Sequence, residues 1–169
     1  MQIISNRLIL RPLTLKDLDT MTTDIFSHPE VMQYSLDGIK NRKYTKEFIK
    51  SQIYNQRKYN FSCWAIVYKK NNQVIGYCGI MPQLIDRVQE FELGYRLSYG
   101  YWKMGLGSEA ASLALDYAKN TLKLCRIISI IESANEASVK IALKNGFVPE
   151  KTNTTWGGFP IQIYKTVFN

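Results

Sequence analysis

The sequence predicts an α+β fold, a mostly antiparallel central sheet with helices packed across it, and three observations carry that prediction. Cys63–Tyr68 and Val74–Met81 are apolar runs rich in β-branched and aromatic residues, and the polar stretch Lys69–Gln73 between them reads as the turn of an antiparallel hairpin. A later run, from about Gln89 to Leu97, passes through a turn holding Gly105 and Gly107 into a helical pattern ending near Asn120. Ile127–Ile131 is too uniformly apolar for a half-exposed strand and belongs in the middle of a sheet. A chain of 169 residues is expected to form one domain, 1–169, with core enough to need neither disulfide nor metal.

Taken in order, Leu8 to Arg11 reads as a short strand closed by Pro12, whose ring supplies no N–H. Thr14-Leu15-Lys16-Asp17 resembles a capping box with aspartate in the usual Glu/Gln place, and starts a helix expected to reach about Phe26. His28-Pro29-Glu30 breaks it, and Val31 to Tyr34 forms a second short helix or a loop. From about Thr45 to Tyr59, Phe48, Ile49 and Ile53 share one face of an otherwise polar helix. Beyond the glycine turn, Leu106, Ala110, Leu113, Ala114 and Tyr117 line one helical face. Glu136 to Asn145 is a further helix, stopped by Gly146 where a left-handed residue ends it. One or two strands fill Val148 to Phe168, with Trp156–Pro160 as a turn.

Composition is that of an ordinary globular protein, with 46% hydrophobic and 21% charged residues. A net charge of +8 favours anions, whether nucleic acid, ribosome, acidic protein or polyphosphate. The basic residues are scattered, without the long run that marks a nucleic-acid arm, so nucleic acid is not the expected partner. Cys63, Cys78 and Cys125 lie far apart, and none belongs to a C-x-x-C or Cys/His pair. Neither a disulfide framework nor a metal site is therefore expected, and reduced thiols fit a reducing compartment. The N-terminus lacks a basic segment followed by a long apolar one, and no window is apolar enough to span a membrane. A cytoplasmic protein without membrane contact is the expectation.

The stretch Tyr101 to Ala110 is the most informative part of the chain. Gly105 and Gly107 carry no Cβ, so the backbone can approach a ligand closely. The first amides of the following helix lack intrahelical acceptors, and the dipole adds positive potential there. A phosphorylated ligand suits such a junction. Gly105-Leu106-Gly107-Ser108-Glu109-Ala110 also fits the G-x-G-x-x-A dinucleotide fingerprint, with Glu132 ending a later apolar run. Against that, an antiparallel hairpin precedes the turn where a parallel β-α-β unit should begin, and no alternating strands and helices follow. The pattern G-x-x-x-x-G-K-[ST] is absent. A helix start that needs small residues only for packing stays open beside the phosphate reading.

Glu92-Leu93-Gly94-Tyr95-Arg96-Leu97 followed by Tyr101-Trp102-Lys103-Met104-Gly105-Leu106-Gly107-Ser108-Glu109-Ala110 resembles the acetyl-CoA segment of the GNAT N-acetyltransferases. The similarity is strongest to the branch holding the ribosomal-protein N-terminal (alanine/serine) acetyltransferases, with E-I-G-Y-x-L, a short loop, then Y-W-G-x-G-Y-A-T-E-A. Asn135 to Ser138 and Lys144 to Phe147 resemble that branch's N-x-x-S and K-x-G-F segments. Asn6 to Leu13, His28 to Met32, and the hairpin with Trp64 and Ile75 to Gly79 correspond as well, so the likeness runs nearly the whole chain in order. It implies a GNAT-like sheet whose strands splay at an acetyl-CoA site, with no metal. Three positions depart from it: Lys103 replaces the glycine of Y-W-G, His28 stands where aspartate is common, and Ala142 occupies the place of a tyrosine that serves many relatives as an acid.

The resemblance further implies that the amides of Met104, Gly105, Leu106, Gly107 and Ser108 hold the acetyl-CoA pyrophosphate, with Trp102 and Lys103 leading into them. Lys103 either adds a cation to the phosphates or is an ordinary solvated lysine. Main-chain groups of Tyr95, Arg96 and Leu97 would pair with the pantetheine amides as an added strand pairs with a sheet edge, and an amide there would stabilise the oxyanion. Asn135 and Ser138 stand one helical turn apart and would face the cofactor. The Ser138 hydroxyl would donate a hydrogen bond to the leaving thiolate, and Asn135 reads equally as a helix N-cap. Tyr101, Tyr117 and Tyr164 are reserve acids.

Attack on a thioester needs a neutral amine, and a carboxylate is the natural proton acceptor. Glu92, five residues before the cofactor edge, is the candidate base, with Glu90 a second on the same face. Alternation places Glu92, Gly94 and Arg96 on one face and Phe91, Leu93, Tyr95 and Leu97 on the other. An ordinary ion pair of Glu92, for instance with Arg96, stays open. In the family the first two helices and the late turn near Trp156 wall the acceptor pocket, so Met32, Tyr34, Tyr44, Trp64 and Trp156 are candidate lining residues. No dense acidic run suits a polycationic antibiotic, which leaves a protein N-terminus or a small amine as acceptor. The expected function is transfer of an acetyl group from acetyl-CoA to a primary amine. The alternative is a non-catalytic GNAT-like module acting on ribosome or nucleic acid, which the missing tyrosine at position 142 favours.

Overall fold

The structure, a computed structural model, describes residues 2–35 and 37–168. Its strands are β1 (Ile3–Ile4), β2 (Leu8–Pro12), β3 (Cys63–Tyr68), β4 (Gln73–Ile85), β5 (Val88–Leu97), β6 (Arg126–Glu132), β7 (Val148–Trp156) and β8 (Phe159–Val167). They form one eight-stranded sheet in the order β1-β2-β3-β4-β5-β6-β8-β7. Every pairing is antiparallel except that of β5 with β6. The predicted hairpin, the third strand and the interior place of Ile127–Ile131 are all present.

The first predicted helix takes an irregular form. A 3₁₀ turn at Leu15–Asp17 leads into α1 (Leu18–Thr20) and then a π-helical stretch, Met21–Phe26. The hydroxyls of Thr22 and Thr23 donate to the carbonyls of Leu18 and Asp19, and such back-bonding loosens a helical ladder. At its start the Thr14 N–H donates to the Asp17 carboxylate at 2.8 Å, the predicted half of the capping box. Next come α2 (Pro29–Met32), with proline in its first turn, and α3 (Arg42–Tyr59). The latter starts earlier than periodicity suggested, because the Asn41 side chain caps it by accepting from the Tyr44 N–H at 3.0 Å.

The sheet is covered on both faces. Toward α4 (Leu106–Asn120) and α5 (Glu136–Lys144) it presents Leu8, Leu10, Trp64, Ile66, Ile80, Leu93, Leu97, Ile127 and Ile131. Toward α1–α3 it presents Cys63, Ala65 and Tyr77, packed on Met21, Ile25, Phe26, Met32 and Ile49. Strand β3 is thus buried on both sides, which explains its uninterrupted apolar run. Trp64 is fully buried with its Nε1 donating to Gln56, so it is core and lines no pocket. Strand β4 runs on to Ile85 and returns through Asp86 and Arg87, both at left-handed φ (50° and 67°). The turn is weakly marked in the sequence, because Arg87 stands where glycine usually follows the aspartate.

Candidate active site

Helix α4 opens from Gly105, which sits at φ 75° as its N-cap. The Glu109 N–H donates to the Gly105 carbonyl at 3.2 Å, so the amides of Leu106, Gly107 and Ser108 lie ahead of the first intrahelical bond. Three consecutive amides at a positive helix end form an anion cradle. The two glycines differ in purpose. A Cβ on Gly105 would meet only the end of Arg7, at 3.6 Å, whereas one on Gly107 would meet Ile141 Cδ1 at 3.0 Å. Gly105 is needed for the turn, and Gly107 for the packing of α4 on α5. The Ser108 hydroxyl accepts from the Asn145 amide at 3.1 Å, tying the same two helices.

Arg7 braces this loop, a role not seen in the sequence. Its Nε donates to Glu109 at 2.6 Å and its Nη1 to the Met104 carbonyl at 2.9 Å, while Ser5 also donates to Glu109. Lys103, which stands where the branch has glycine, is exposed and held at φ 62°. A left-handed lysine carries roughly 1 kcal/mol of backbone strain. Lys103→Gly is therefore expected to stabilise the ligand-free protein by up to about 1 kcal/mol in urea unfolding. If the cation also touches phosphate, calorimetric titration of the same variant will show weaker coenzyme A binding.

Strand β5 is the other wall. It shares a single register pair with β6, Glu92 with Ile128, and beyond that point the two part. The buried Ser129 hydroxyl, rather than a main-chain amide, donates to the Leu93 carbonyl at 3.3 Å. On the β4 side, the Ser98 N–H donates to the Ile75 carbonyl at 2.8 Å. Antiparallel alternation then directs the main chain of Arg96 to its partner Tyr77 and turns that of Tyr95 and Leu97 to the open side. Tyr95 and Leu97 keep the orientation expected of a ligand-pairing edge. Arg96 differs: its main chain is occupied by β4. The Leu97 carbonyl is also taken, accepting from Trp102 Nε1 at 2.9 Å, so Trp102 bolts the loop to the strand end.

At the mouth of this splay lies Glu92, 8% exposed. Its Oε2 accepts from Gln83 Nε2 at 2.6 Å, a diagonal cross-strand contact. Burial pushes its carboxyl up to about 7, against the opposing pull of the Gln83 amide, the Ile130 N–H and the Arg96 charge. No ion pair is formed with Arg96 among the described residues. Glu90, the second candidate, is spent on Arg126 at 3.0 Å, within a cluster that includes Glu150.

Asn135 caps α5, its Oδ1 accepting from the Ser138 N–H at 3.1 Å. The Ser138 carbonyl accepts from the Tyr95 hydroxyl at 3.2 Å, and burial raises the Tyr95 phenol well above its ordinary value. Ala142 is buried in the core and offers no proton. The three reserve tyrosines are engaged elsewhere: Tyr101 with Asn71 and Gln73, Tyr117 with the Asn60 carbonyl, Tyr164 with Gln162. Alternation along β5 sets the Tyr95 side chain on the face opposite Glu92, and only packing against α5 gives its hydroxyl this partner. His28 stacks on Tyr99 at 5.7 Å, away from any base role. Of the proposed pocket residues, Met32 touches Arg96, Tyr44 packs edge-on against Phe26, and Trp156 sits with Ile128, Ile161 and Ile163.

A family model for an acetyltransferase (GNAT) domain matches residues 7–148. The chain belongs to the GNAT acetyltransferases. The uncharacterised protein YkkB of Bacillus subtilis is 31% identical over 97% of this chain and 94% of its own. The uncharacterised N-acetyltransferase p20 of Bacillus licheniformis is 30% identical over 86% of this chain and 82% of its own. Among solved structures, a GNAT-family acetyltransferase from Bacillus anthracis superposes with a TM-score of 0.81 at 23% identity, covering 98% of this chain and 96% of that one. The ribosomal L7/L12 N-terminal acetyltransferase RimL, solved with coenzyme A, superposes with a TM-score of 0.82 at 17% identity, covering 99% and 98%. At such identities the superpositions establish the fold. Membership makes this GNAT chain an acetyl-CoA-dependent acyltransferase. No described helix is long and apolar enough to cross a membrane.

Proposed function

We propose that this acetyltransferase moves the acetyl group of acetyl-CoA directly to a primary amine, with Glu92 as the base. The observation that carries this is a buried carboxyl, poised near neutrality at the point where β5 and β6 part. The cradle at Leu106, Gly107 and Ser108 takes the pyrophosphate, and the Tyr95 and Leu97 main chain guides the pantetheine arm toward Glu92. There, Glu92 removes the proton that an amine with pKa of about 8 to 10 carries at neutral pH. The amine nitrogen bonds to the thioester carbon, the C–S bond breaks, and the second proton shed by the nitrogen passes through solvent to the departing thiolate, which leaves toward α5 as the thiol. The Ser138 hydroxyl donates a hydrogen bond to that sulfur, with the Tyr95 hydroxyl one contact away.

Acetyl-CoA at about 100 times its Kd is expected to add near 3 kcal/mol to folding stability, read as a rise in Tm. Thiol release across a panel of small amines and N-terminal peptides tests the transfer itself. A protein that binds acetyl-CoA but releases thiol with no amine would contradict the proposal.

A further inference from the structure

Arg96 projects from β5 on the face that carries Glu92, partly buried and four residues along the strand. A guanidinium has five N–H donors to satisfy. Among the described residues it joins no ion pair. Its Nη1 meets the Met32 thioether at 2.7 Å, a weak acceptor, and the Tyr77 hydroxyl lies beside it. Withdrawing a cation from water without a counter-charge is unfavourable. The other partly buried arginines avoid that state: Arg7 pairs with Glu109, Arg11 with Asp17, and Arg126 with Glu90 and Glu150. Arg96 is left short of acceptors beside the carboxyl that would deprotonate the acceptor.

We propose that Arg96 receives a carboxylate carried by the acceptor, which is then a small amino-carboxylate such as an α-amino acid. The inference rests on Glu92 as the base for the amine. Residues four apart on one strand face are on the order of 13 Å apart at Cα, and the Arg96 side chain narrows that gap enough for its charge to act on the Glu92 carboxyl. What remains suits a molecule whose amine and carboxylate lie a few bonds apart. The planar guanidinium fork binds a carboxylate through two parallel hydrogen bonds, which fixes orientation as well as affinity. Met32 and Tyr77, which now flank the guanidinium, hold it in place. A polycationic acceptor would be repelled at this position.

The test compares acetyl-CoA thiol release with each common α-amino acid and with its carboxamide. Free acids are expected to exceed their amides by at least about 10-fold in kcat/KM, the usual scale for a charged hydrogen bond. Arg96→Gln should raise KM for the acids by a similar factor while changing kcat little, and Arg96→Lys should restore part of the loss. In parallel, acids but not amides should raise the Tm of the coenzyme A-saturated protein, and Arg96→Gln should abolish that rise. Amides used as well as acids, turnover confined to peptides, or a preference that survives Arg96→Gln would each overturn the proposal. Acids that raise Tm through Arg96 without any thiol release would leave the carboxylate site standing and remove the transfer to an amine.

Discussion

Glu92→Gln is expected to lower kcat by about 10²–10⁴-fold, the range for removal of a general base. KM for acetyl-CoA should hardly move, because Glu92 touches neither the α4 cradle nor the open main chain of β5. In the parent protein kcat/KM should rise with pH along a limb centred near 7, as Glu92 loses its proton. The variant should lack that limb. Turnover that persists in Glu92→Gln with an unaltered pH profile would remove this residue from the chemistry.

The same substitution has an opposite effect on folding. Glu92 titrates at about 7 in the folded protein against 4.5 for a free side chain. Below 4.5 both states hold the proton; between 4.5 and 7 only the folded state does. Stability therefore falls as pH rises through this window and levels off above it. Glu92→Gln, which carries no charge, should be more stable than the parent above pH 7, by up to a few kcal/mol on the scale of roughly 1.4 kcal/mol per pKa unit. Urea unfolding at pH 5 and pH 8 measures the difference. A variant that is both inactive and more stable is the signature of a site held at the expense of stability.

Gly105→Asp should raise the Kd for coenzyme A by about 10²-fold, since a unit charge roughly 5 Å from a phosphate costs about 3 kcal/mol at an effective dielectric near 20. The fold should survive it, because aspartate tolerates the left-handed region and its carboxylate would lie beside Arg7. Gly107→Ala should behave otherwise. Its methyl presses on the mobile end of Ile141, and the gain in helix propensity of about 1 kcal/mol offsets part of the crowding. Calorimetric titration of coenzyme A should therefore separate the two variants, with Gly107→Ala close to the parent. Equal loss in both would mean that the turn serves packing alone.

The sequence by itself determined the sheet, most helix positions and the place of the glycine turn that opens α4. These depend on local signals: the hairpin of apolar runs at Cys63–Tyr68 and Val74–Met81, the Thr14–Asp17 cap, the glycines before α4, and the Asn135 cap of α5. Even Glu92 was legible, since alternation along β5 fixes its face wherever the strand goes. Only the tertiary structure decided what each group meets. Arg7 and Glu109 are 102 residues apart in sequence yet brace one loop, and Trp102 consumes the Leu97 carbonyl. Glu92 is lifted toward neutrality by burial, which depends on the packing around it rather than on its neighbours in the chain. Arg96 shows the division most clearly: the family resemblance set its main chain against the cofactor, whereas pairing with β4 occupies that main chain and leaves the side chain beside Met32 and Tyr77. Periodicity specifies a direction, but a charge acquires its chemistry from the partners that folding supplies or withholds.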